Sequence, residues 1–391
     1  MHDASRTGTS TNGAALPGGS FDVGGERNGQ IKKHRKSVFL PAWIANKQSA
    51  LMKRYFLLIV LVLSFSSAAT CGQSPDKQDK HAVDRSSPTI PIPIHGVTVA
   101  DNRDIRKDKY LNDVLESVGN LSSVPTVRLT YKLEGTASNK GAKASTYLAA
   151  TKAISRKAYI FAEVIDSAYE FCFSVADHEA RWNEYVSTLK DYVDIWEVGN
   201  EINGNWLDNS DPIPIKGQTC PWTIPNTSEK DVITKMINAY QIVKNAGQAA
   251  ALTLYYEPNP ACTTSMGPGY DPITWATQNI PSDMKAGLNY VLLSYYRDKC
   301  LNFNPDLAAL FTQFHKIFPN AKLGMGEWGY SKSRPNKAKL TKLLNEGYAF
   351  HPDVPNWVGG VFFWEYGTDA VPYNPQPGSI WNVINTALNK Q

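Results

Sequence analysis

Two glutamates end short apolar runs that lie far apart in the chain. The first run reads Trp196-Glu-Val-Gly-Asn-Glu201, and the second reads Gly324-Met-Gly-Glu327-Trp-Gly. Burying a carboxyl group among apolar residues costs free energy unless the group is paired or used. Two facing carboxyl groups would supply an acid that protonates a leaving oxygen and a carboxylate that attacks carbon. Cleavage of a glycosidic bond requires this pair.

The elements that would position these glutamates alternate regularly from residue 89 onward. Eight apolar, β-rich runs are separated by connections long enough for a crossover helix, which parallel neighbouring strands require. The predicted strands cover residues 92–99, 126–132, 158–165, 193–199, 251–256, 290–295, 322–327 and 360–365. The predicted helices cover residues 107–118, 143–155, 178–189, 229–246, 305–318, 337–350 and 380–389.

This alternation predicts an α/β fold, a single (β/α)8 TIM barrel. The alternative is a doubly wound open sheet, which has fewer strands and a glycine-rich first turn that this sequence lacks. Active sites of such barrels lie at the C-terminal ends of the strands. The side chains expected there are Arg128, Asn200, Glu201, Glu257, Tyr295, Glu327 and Trp364.

The two glutamate motifs resemble the fourth-strand and seventh-strand signatures of clan A glycoside hydrolases, which are retaining enzymes on (β/α)8 barrels. The resemblance implies that Glu201 is the acid/base and Glu327 the nucleophile. The run from Glu201 to Trp206 also resembles that of some β-mannanases, which carry His where Asn200 stands here. The motif Gly199-Asn200-Glu201 resembles those of arabinofuranosidases and glucuronidases more closely, so no family inside the clan is assigned.

The same resemblance implies roles for four surrounding residues. Asn200 would bond the sugar 2-hydroxyl and Tyr295 would hold the nucleophile. Arg128 would orient Glu327 and stabilise its charge, while Trp364 would form the floor of the catalytic subsite.

Alternative interpretations stay open for several of these residues. Glu327 would instead be a structural carboxylate if it only pairs with Arg128. Glu197 is interpreted as a buried partner of a polar group on the second or third strand rather than as a catalyst. Glu257 either binds substrate or caps a loop. Two tryptophans next to predicted loops, Trp206 and Trp328, are expected to offer aromatic faces to sugar rings.

Four cysteines follow the third to sixth predicted strands: Cys172, Cys220, Cys262 and Cys300. Neighbouring loops lie closest, which favours the pairs Cys172–Cys220 and Cys262–Cys300. The alternative is the pair 220–262 with 172 bridged to 300 across the mouth. The cysteines form no CxxC pair, and no histidine lies at the sequence spacing of a zinc ligand. We therefore predict no zinc site, no other metal and no cofactor.

The N-terminal region has the composition of a targeting segment. Residues 52–71 contain a basic start, an apolar core and small residues, which predicts a signal peptide for export. We expect translation to start at Met52 and residues 1–51 to be a non-native or disordered extension. Residues 72–88 form a polar linker before a catalytic domain at 89–391.

Cys71 follows Ala68-Ala69-Thr70, an arrangement similar to a bacterial lipoprotein cleavage site. A lipid anchor through Cys71 and ordinary cleavage near Ala69 are the two alternatives. The protein is thus expected to be secreted, periplasmic or an outer-membrane lipoprotein of a bacterium.

Charge and hydropathy exclude other classes of protein. The net charge of +4 comes from the first 71 residues, because residues 72–391 hold 31 Lys and Arg against 33 Asp and Glu. That balance predicts no nucleic-acid partner. No apolar run reaches the ~18–20 residues of a spanning helix, which excludes a multi-span membrane protein. The expected function is retaining hydrolysis of a polysaccharide or oligosaccharide by a monomer, and the alternative is an inactive carbohydrate-binding barrel.

Overall fold

Parallel strands close into a barrel in the computed structural model, which describes residues 83, 89–100, 103–208, 220–223, 225–257, 270–297, 304–330 and 334–390. The signal peptide, Cys71, Cys262 and Cys300 lie outside these residues. The barrel strands are β1 (Ile94–Ala100), β2 (Thr126–Thr130), β5 (Tyr159–Glu163), β6 (Ile195–Gly199), β7 (Ala250–Tyr255), β8 (Tyr290–Tyr295), β9 (Lys322–Gly329) and β10 (Trp357–Trp364). A small hairpin of β3 (Gly135–Thr136) and β4 (Asn139–Lys140) lies after β2.

The strand order around the barrel follows the chain, and β10 pairs with β1 to close it. Each neighbouring pair in the barrel is parallel. This confirms the prediction of a (β/α)8 TIM barrel. The fourth and seventh strands of the barrel are β6 and β9, which carry the two glutamate motifs.

Helices follow the strands along the chain. They are α1 (Asp108–Gly119), α2 (Ala144–Ile154), the 3-10 helix η1 (Ser167–Cys172), α3 (Val175–Leu189), α4 (Glu229–Asn245), α5 (Pro272–Asn279), α6 (Ser282–Gly287), α7 (Leu307–Ile317), α8 (Lys337–Ala349), α9 (Tyr366–Asp369) and α10 (Ile380–Leu388). Side-chain caps set several of the starts, since Ser228 forms a capping box with Asp231 at α4. Neither α5 nor α6 is predicted by the apolar spacing of the sequence.

Alternation along the strands divides the apolar core into two layers. One set of side chains fills the barrel interior and includes Phe161, Ile195, Leu292 and Phe362. The larger set packs between the strands and the surrounding helices. Successive side chains of a strand point to opposite faces, so each strand delivers every second residue to the interior. Near the C-terminal ends those interior positions carry polar residues.

A bulge in β9 changes this alternation beside the site. Leu293 of β8 pairs with Met325, but the next residue, Ser294, pairs with Glu327, so Gly326 is an extra residue in β9. Met325 belongs to the layer under the helices. Without the extra residue, Glu327 would share that orientation. The bulge turns Glu327 toward the barrel mouth, in keeping with the use of bulges to re-aim side chains next to active sites.

Candidate active site

Arg128 of β2 is the centre of a buried ionic cluster. Its guanidinium is fully buried and lies 2.8 Å from Glu197, 2.9 Å from Glu327 and 3.2 Å from Glu163. Glu197 also accepts a hydrogen bond from the Thr253 hydroxyl. The interpretation of Glu197 as the partner of a second-strand group is therefore confirmed, because its carboxylate faces Arg128 across the barrel interior.

Three carboxyl groups share the charge of one guanidinium. Burial alone would lower the pKa of Arg128, but the charges of Glu163, Glu197 and Glu327 raise it overall. Burial raises the pKa of Glu163 well above its ordinary value, and the Arg128 charge opposes this only in part. Burial also raises the pKa of Glu197, again against the charge of Arg128. Of the three carboxyl groups, Glu197 and Glu327 lie nearest to the Arg128 guanidinium, at 2.8 and 2.9 Å, and Glu163 lies farthest, at 3.2 Å.

Glu327 has three polar partners on three different strands or strand ends, one in an ion pair and two in hydrogen bonds. Arg128 Nη1 lies 2.9 Å from Oε1, and Asn200 Nδ2 donates to the same oxygen at 3.1 Å. The hydroxyl of Tyr296 donates to Oε2. Hydrogen bonds to the charged form of a carboxyl group favour that form. These contacts hold both carboxylate oxygens of Glu327 in place at the barrel mouth.

Glu201 is held differently. It lies at the mouth with an exposed fraction of 9%, and its backbone has a φ of +44°. Side chains other than glycine rarely adopt this left-handed conformation, which is enriched at functional sites. Ser167 Oγ donates to Glu201 Oε2 at 3.3 Å. The backbone N–H of Ser167 donates to Asn200 Oδ1 at 2.9 Å, so the start of η1 fixes both residues of the Asn-Glu pair.

Two tyrosines connect the glutamates electrostatically. Burial raises the pKa of the Tyr296 hydroxyl, and the charges of Glu327 and Glu201 raise it further. Burial also raises the pKa of Tyr255, followed by the charges of Glu201, Glu257 and Glu327. Both carboxyl groups thus act on the same two hydroxyls. The structure brings together Glu201 and Glu327 as the strand positions predicted.

Aromatic side chains surround the glutamates at the mouth. Tyr255 and Tyr296 form a buried pair against which Trp206, Tyr270 and Trp364 pack while staying partly exposed. The rings of Trp206 and Tyr255 meet edge to face with centroids 5.2 Å apart. Partly exposed rings of this kind present apolar faces suited to the C–H faces of sugars. Trp206 and Trp364 therefore lie where the sequence analysis expected them.

Two predicted site residues point away from the mouth. The prediction that Tyr295 holds Glu327 is wrong, because Tyr295 packs on Trp328 with ring centroids 5.8 Å apart, and Tyr296 holds Glu327 instead. Burial raises the pKa of Tyr295 to about 12. Trp328 lies under α8, where its indole N–H donates to the carbonyl of Leu343 at 2.9 Å. Because successive side chains of a strand point to opposite faces, Tyr295 points out of the barrel and Tyr296 points into it. The bulge in β9 in the same way leaves Trp328 outside the barrel and Glu327 inside it.

Glu257 lies just after β7, and its side chain points to the same side of the barrel wall as that of Tyr255. The Tyr255 hydroxyl donates to Glu257 Oε2 at 2.8 Å, and Glu257 is buried. Its predicted part in substrate binding stays a prediction.

Three residues of the site were not predicted from the sequence: Ser167, Tyr255 and Tyr296. The period-two pattern Tyr290, Leu292, Ser294, Tyr296 was the available signal for Tyr296, whereas Ser167 reaches the site only through the fold of η1.

One predicted disulfide is confirmed. Cys172 and Cys220 are bonded, with their Cα atoms 5.6 Å apart and a sequence separation of 48. The bond ties the end of η1 to the long segment after β6. The pairing of Cys262 with Cys300 falls outside the described residues.

Within the described residues, His, Cys, Asp and Glu side chains form no group of three suited to a metal ion. In the same part of the chain, no helix is long and apolar enough to cross a membrane.

Comparison with known proteins shows similarity at the level of fold. No family model matches the chain, and no curated protein matches it. Similar solved structures include the AHE enzyme from Alicyclobacillus herbarius, with a TM-score of 0.43 and 10% identity over 73% of this chain and 89% of that chain. They also include a family 1 β-glucosidase from Thermotoga maritima, with a TM-score of 0.44 and 10% identity over 71% of this chain and 89% of that one.

A third similar structure is Gas2p from Saccharomyces cerevisiae in complex with laminaritriose and laminaritetraose. Its TM-score is 0.42 and its identity is 12%, over 76% of this chain and 64% of that chain. These three similarities are similarities of fold.

Proposed function

We propose that this protein is a retaining glycoside hydrolase that cleaves O-glycosidic bonds of a polysaccharide or oligosaccharide. The observation that carries the proposal is the pair Glu201 and Glu327 at the barrel mouth, which a chain of hydrogen bonds connects. Asn200 donates to Glu327 at 3.1 Å, Ser167 N–H donates to Asn200 at 2.9 Å, and Ser167 Oγ donates to Glu201 at 3.3 Å. The partly exposed rings of Trp206 and Trp364 beside them support a sugar as the ligand.

The proposed reaction has two steps. Glu327 attacks the anomeric carbon while the protonated Glu201 gives its proton to the leaving oxygen, so that a glycosyl ester forms on Glu327 and the glycosidic bond breaks. Glu201, now a carboxylate, takes a proton from water, and the resulting hydroxide attacks the same carbon. The ester bond breaks, Glu327 returns as a carboxylate, and the sugar keeps its anomeric configuration.

The surrounding residues fit these steps. Arg128 forms an ion pair with Glu327, and Asn200 and Tyr296 donate hydrogen bonds to it, which stabilises the negative charge before attack and again when the ester breaks. Ser167 orients Glu201. The same Arg128 contact is expected for a purely structural carboxylate. The position of Glu327 at the mouth, with Tyr296 on its second oxygen, favours the catalytic interpretation.

We also propose that the protein is exported. The Cys172–Cys220 disulfide supports this, because disulfides persist mainly in oxidising compartments. Whether Cys71 carries a lipid is part of the same proposal, and mass spectrometry of the mature N-terminus distinguishes a lipidated cysteine from a terminus near Ala69.

The test of the function is sugar release from a panel of β-glucans, mannans, xylans, arabinans and chitin. The full-length protein runs beside Glu201→Gln, Glu327→Gln and the control Glu116→Gln, whose side chain is exposed on α1. We expect the two site variants to lose activity by roughly 10²–10⁴-fold and the control to keep it. If the Glu327→Gln protein kept its activity, Glu327 would not be the nucleophile.

A second measurement addresses retention. Proton NMR of the first product released from a polymer or aryl glycoside reports whether the anomeric configuration is kept or inverted. Initial inversion would contradict double displacement and assign Glu327 to activating water. Binding of a polymer without any release would favour the inactive carbohydrate-binding barrel.

A further inference from the structure

A cavity lies outside the glutamate site, among the segments that follow the C-terminal ends of β9 and β10. Its volume is about 590 Å³, and its lining includes Arg334, Lys337, Asp369, Tyr373 and Trp381. The walls come from the segments that follow β9 and β10, the strands that carry Glu327 and Trp364. The volume lies within the roughly 300–1,000 Å³ of small-molecule sites. Nothing in the proposed hydrolysis uses these residues.

A buried carboxylate anchors one cation in this cavity. The Asp369 side chain is fully buried, and its Oδ1 lies 2.5 Å from Arg334 Nε. Its Oδ2 accepts from the Tyr330 hydroxyl at 3.1 Å. The Arg334 side chain remains 54% exposed. Since a guanidinium has five N–H donors and Nε serves Asp369, the terminal nitrogens can reach a ligand from a fixed position.

The charge of the cavity is positive. Arg334, Lys337 and Asp369 are its charged lining residues, so two cations face one acid. Lys337 is exposed, and its Nζ lies 3.5 Å from the position that a Cβ on Gly378 would take. The ammonium therefore lies over the turn before α10. The first residues of α8 and α10 also line the cavity, and helix N-termini add positive potential.

An aromatic face completes the cavity. Tyr373 is half-buried, and its ring meets Trp381 edge to face with centroids 4.7 Å apart. The Trp381 indole N–H donates to the carbonyl of Ser117 at 2.9 Å, which fixes this support. A ring held in this way offers an apolar face at little entropic cost on binding. Cations beside a sugar-sized aromatic surface match a sugar that carries an anionic group.

We propose that this cavity is an accessory site for a carboxylate-bearing sugar, a hexuronic acid unit of the carbohydrate on which the protein acts. The planar guanidinium of Arg334 matches a carboxylate in two-point geometry, Lys337 adds a second charge, and Tyr373 supports the ring. The choice of a sugar ligand rests on the proposed function. The site would make the protein prefer acidic glycans without contributing to bond cleavage.

Binding is tested by titration calorimetry and saturation-transfer NMR on the full-length Glu327→Gln protein, which separates binding from turnover. The probes are D-glucuronate, D-glucose and sodium acetate. We expect glucuronate to bind with a Kd on the order of millimolar, the scale of a monosaccharide-sized ligand. Glucose and acetate should each bind at least about tenfold more weakly than glucuronate, because glucose lacks the carboxylate and acetate lacks the sugar ring. Salt should weaken glucuronate binding.

Matched variants locate the site. Lys337→Gln and Tyr373→Ala should each weaken glucuronate binding by roughly three- to tenfold. Lys339→Gln, an exposed lysine of the same helix that does not line the cavity, should leave it unchanged. Lys337→Gln breaks no ion pair with any residue that the structure describes, whereas replacing Arg334 would leave the buried Asp369 carboxylate without its cation. In the active protein, Lys337→Gln should leave hydrolysis of neutral substrates intact.

The outcomes separate the two proposals. Equal binding of glucuronate and acetate would mean a general anion site and would overturn the sugar assignment. Equal binding of glucuronate and glucose, or insensitivity to Lys337→Gln, would overturn the anionic assignment. Hydrolysis without cavity binding would remove the accessory site alone. Cavity binding without any hydrolysis would support the site and count against the proposed activity.

Discussion

Glu327 is defined by the donors around it, and the most informative of them is Tyr296. The hydroxyl of Tyr296 donates to Oε2, while Arg128 and Asn200 share Oε1. Each carboxylate oxygen is thus held, which fixes the direction from which Glu327 would attack. Tyr295, one residue earlier, packs outside the barrel.

These neighbouring tyrosines form a matched pair for a test. Tyr296→Phe should lower kcat by about 10–100-fold, since a hydrogen bond to a charged group is worth roughly 1.5–3 kcal/mol. Tyr295→Phe should leave kcat unchanged, because the Tyr295 hydroxyl is buried without a hydrogen-bond partner among the described residues. Steady-state kinetics on the best polymer provide the measurement. A larger loss in Tyr295→Phe would contradict the orientation assigned to both side chains.

Ser167 is a positioning residue for Glu201. Ser167→Ala removes the hydroxyl donor at 3.3 Å but keeps the backbone N–H that donates to Asn200. We expect kcat to fall roughly tenfold with little change in KM, because orientation of Glu201 is lost while the sugar contacts remain. The control is Ser187→Ala, whose hydroxyl donates to the carbonyl of Glu184 in its own helix at 3.1 Å. An equal rise in KM would instead indicate that Ser167 contacts substrate.

The β9 bulge decides which side chain of the seventh barrel strand reaches the mouth. Gly326 is the extra residue, and a Cβ there would lie 2.6 Å from Thr253 Cγ2 and 3.0 Å from Leu292 Cβ. Thr253 in turn holds Glu197 of the Arg128 cluster. The absence of a side chain at this position is therefore required for both the bulge and the cluster.

Gly326→Ala should destabilise the protein by about 1–3 kcal/mol, the usual cost of overpacking, and lower kcat by moving Glu327. Gly119→Ala is the control, because a Cβ there would meet Lys157 Cδ at 3.4 Å, an ordinary contact. That change at the end of α1 should leave stability unchanged or raise it. Denaturant unfolding and kinetics measure the two effects. A fully active, fully stable Gly326→Ala protein would contradict the role of the bulge.

A buried ionic cluster ties the site to the outer helices of the molecule. Glu170 of η1 lies 3.3 Å from His178 of α3 and 3.7 Å from Lys235 of α4. The Lys235 ammonium also donates to the Glu170 carbonyl at 2.8 Å. Burial alone would raise the pKa of Glu170, but His178 and Lys235 lower it to about 2. Burial lowers the pKa of Lys235, which offsets part of the gain.

The pH dependence of stability follows from that lowered pKa. Because Glu170 titrates at a lower pH in the folded chain than in the unfolded chain, its contribution is present above the unfolded value near 4.5 and is lost as pH falls toward 2. Glu170→Gln should lower the free energy of unfolding by about 3 kcal/mol at pH 7, and the difference should shrink below pH ~5.

Urea unfolding across this pH range measures the effect, with Glu116→Gln as the exposed control. A difference between Glu170→Gln and wild type that stays constant with pH would show that packing, rather than charge, accounts for the role of Glu170.

The features that could be predicted from the sequence are those set by local pattern. Period-two apolar runs and helical spacing identified eight barrel strands and most helices, because alternation and amphipathicity depend on neighbouring residues. The motifs ending in Glu201 and Glu327 lie at strand ends, where parallel strands of a barrel must bring them together. Cys172 and Cys220 paired as expected, since each lies in a loop that follows one of two adjacent strands.

The contacts that make the site depend on long-range packing. Arg128 meets Glu163, Glu197 and Glu327 only because strand register aligns four strands around the barrel interior. The choice of Tyr296 over Tyr295 and of Glu327 over Trp328 follows from side-chain parity and one bulged residue, which no composition or motif encodes. The cavity beside Asp369 likewise exists only because the segments after β9 and β10 pack against each other. Side-chain direction is fixed by pairing between distant segments, so only the tertiary structure decides it.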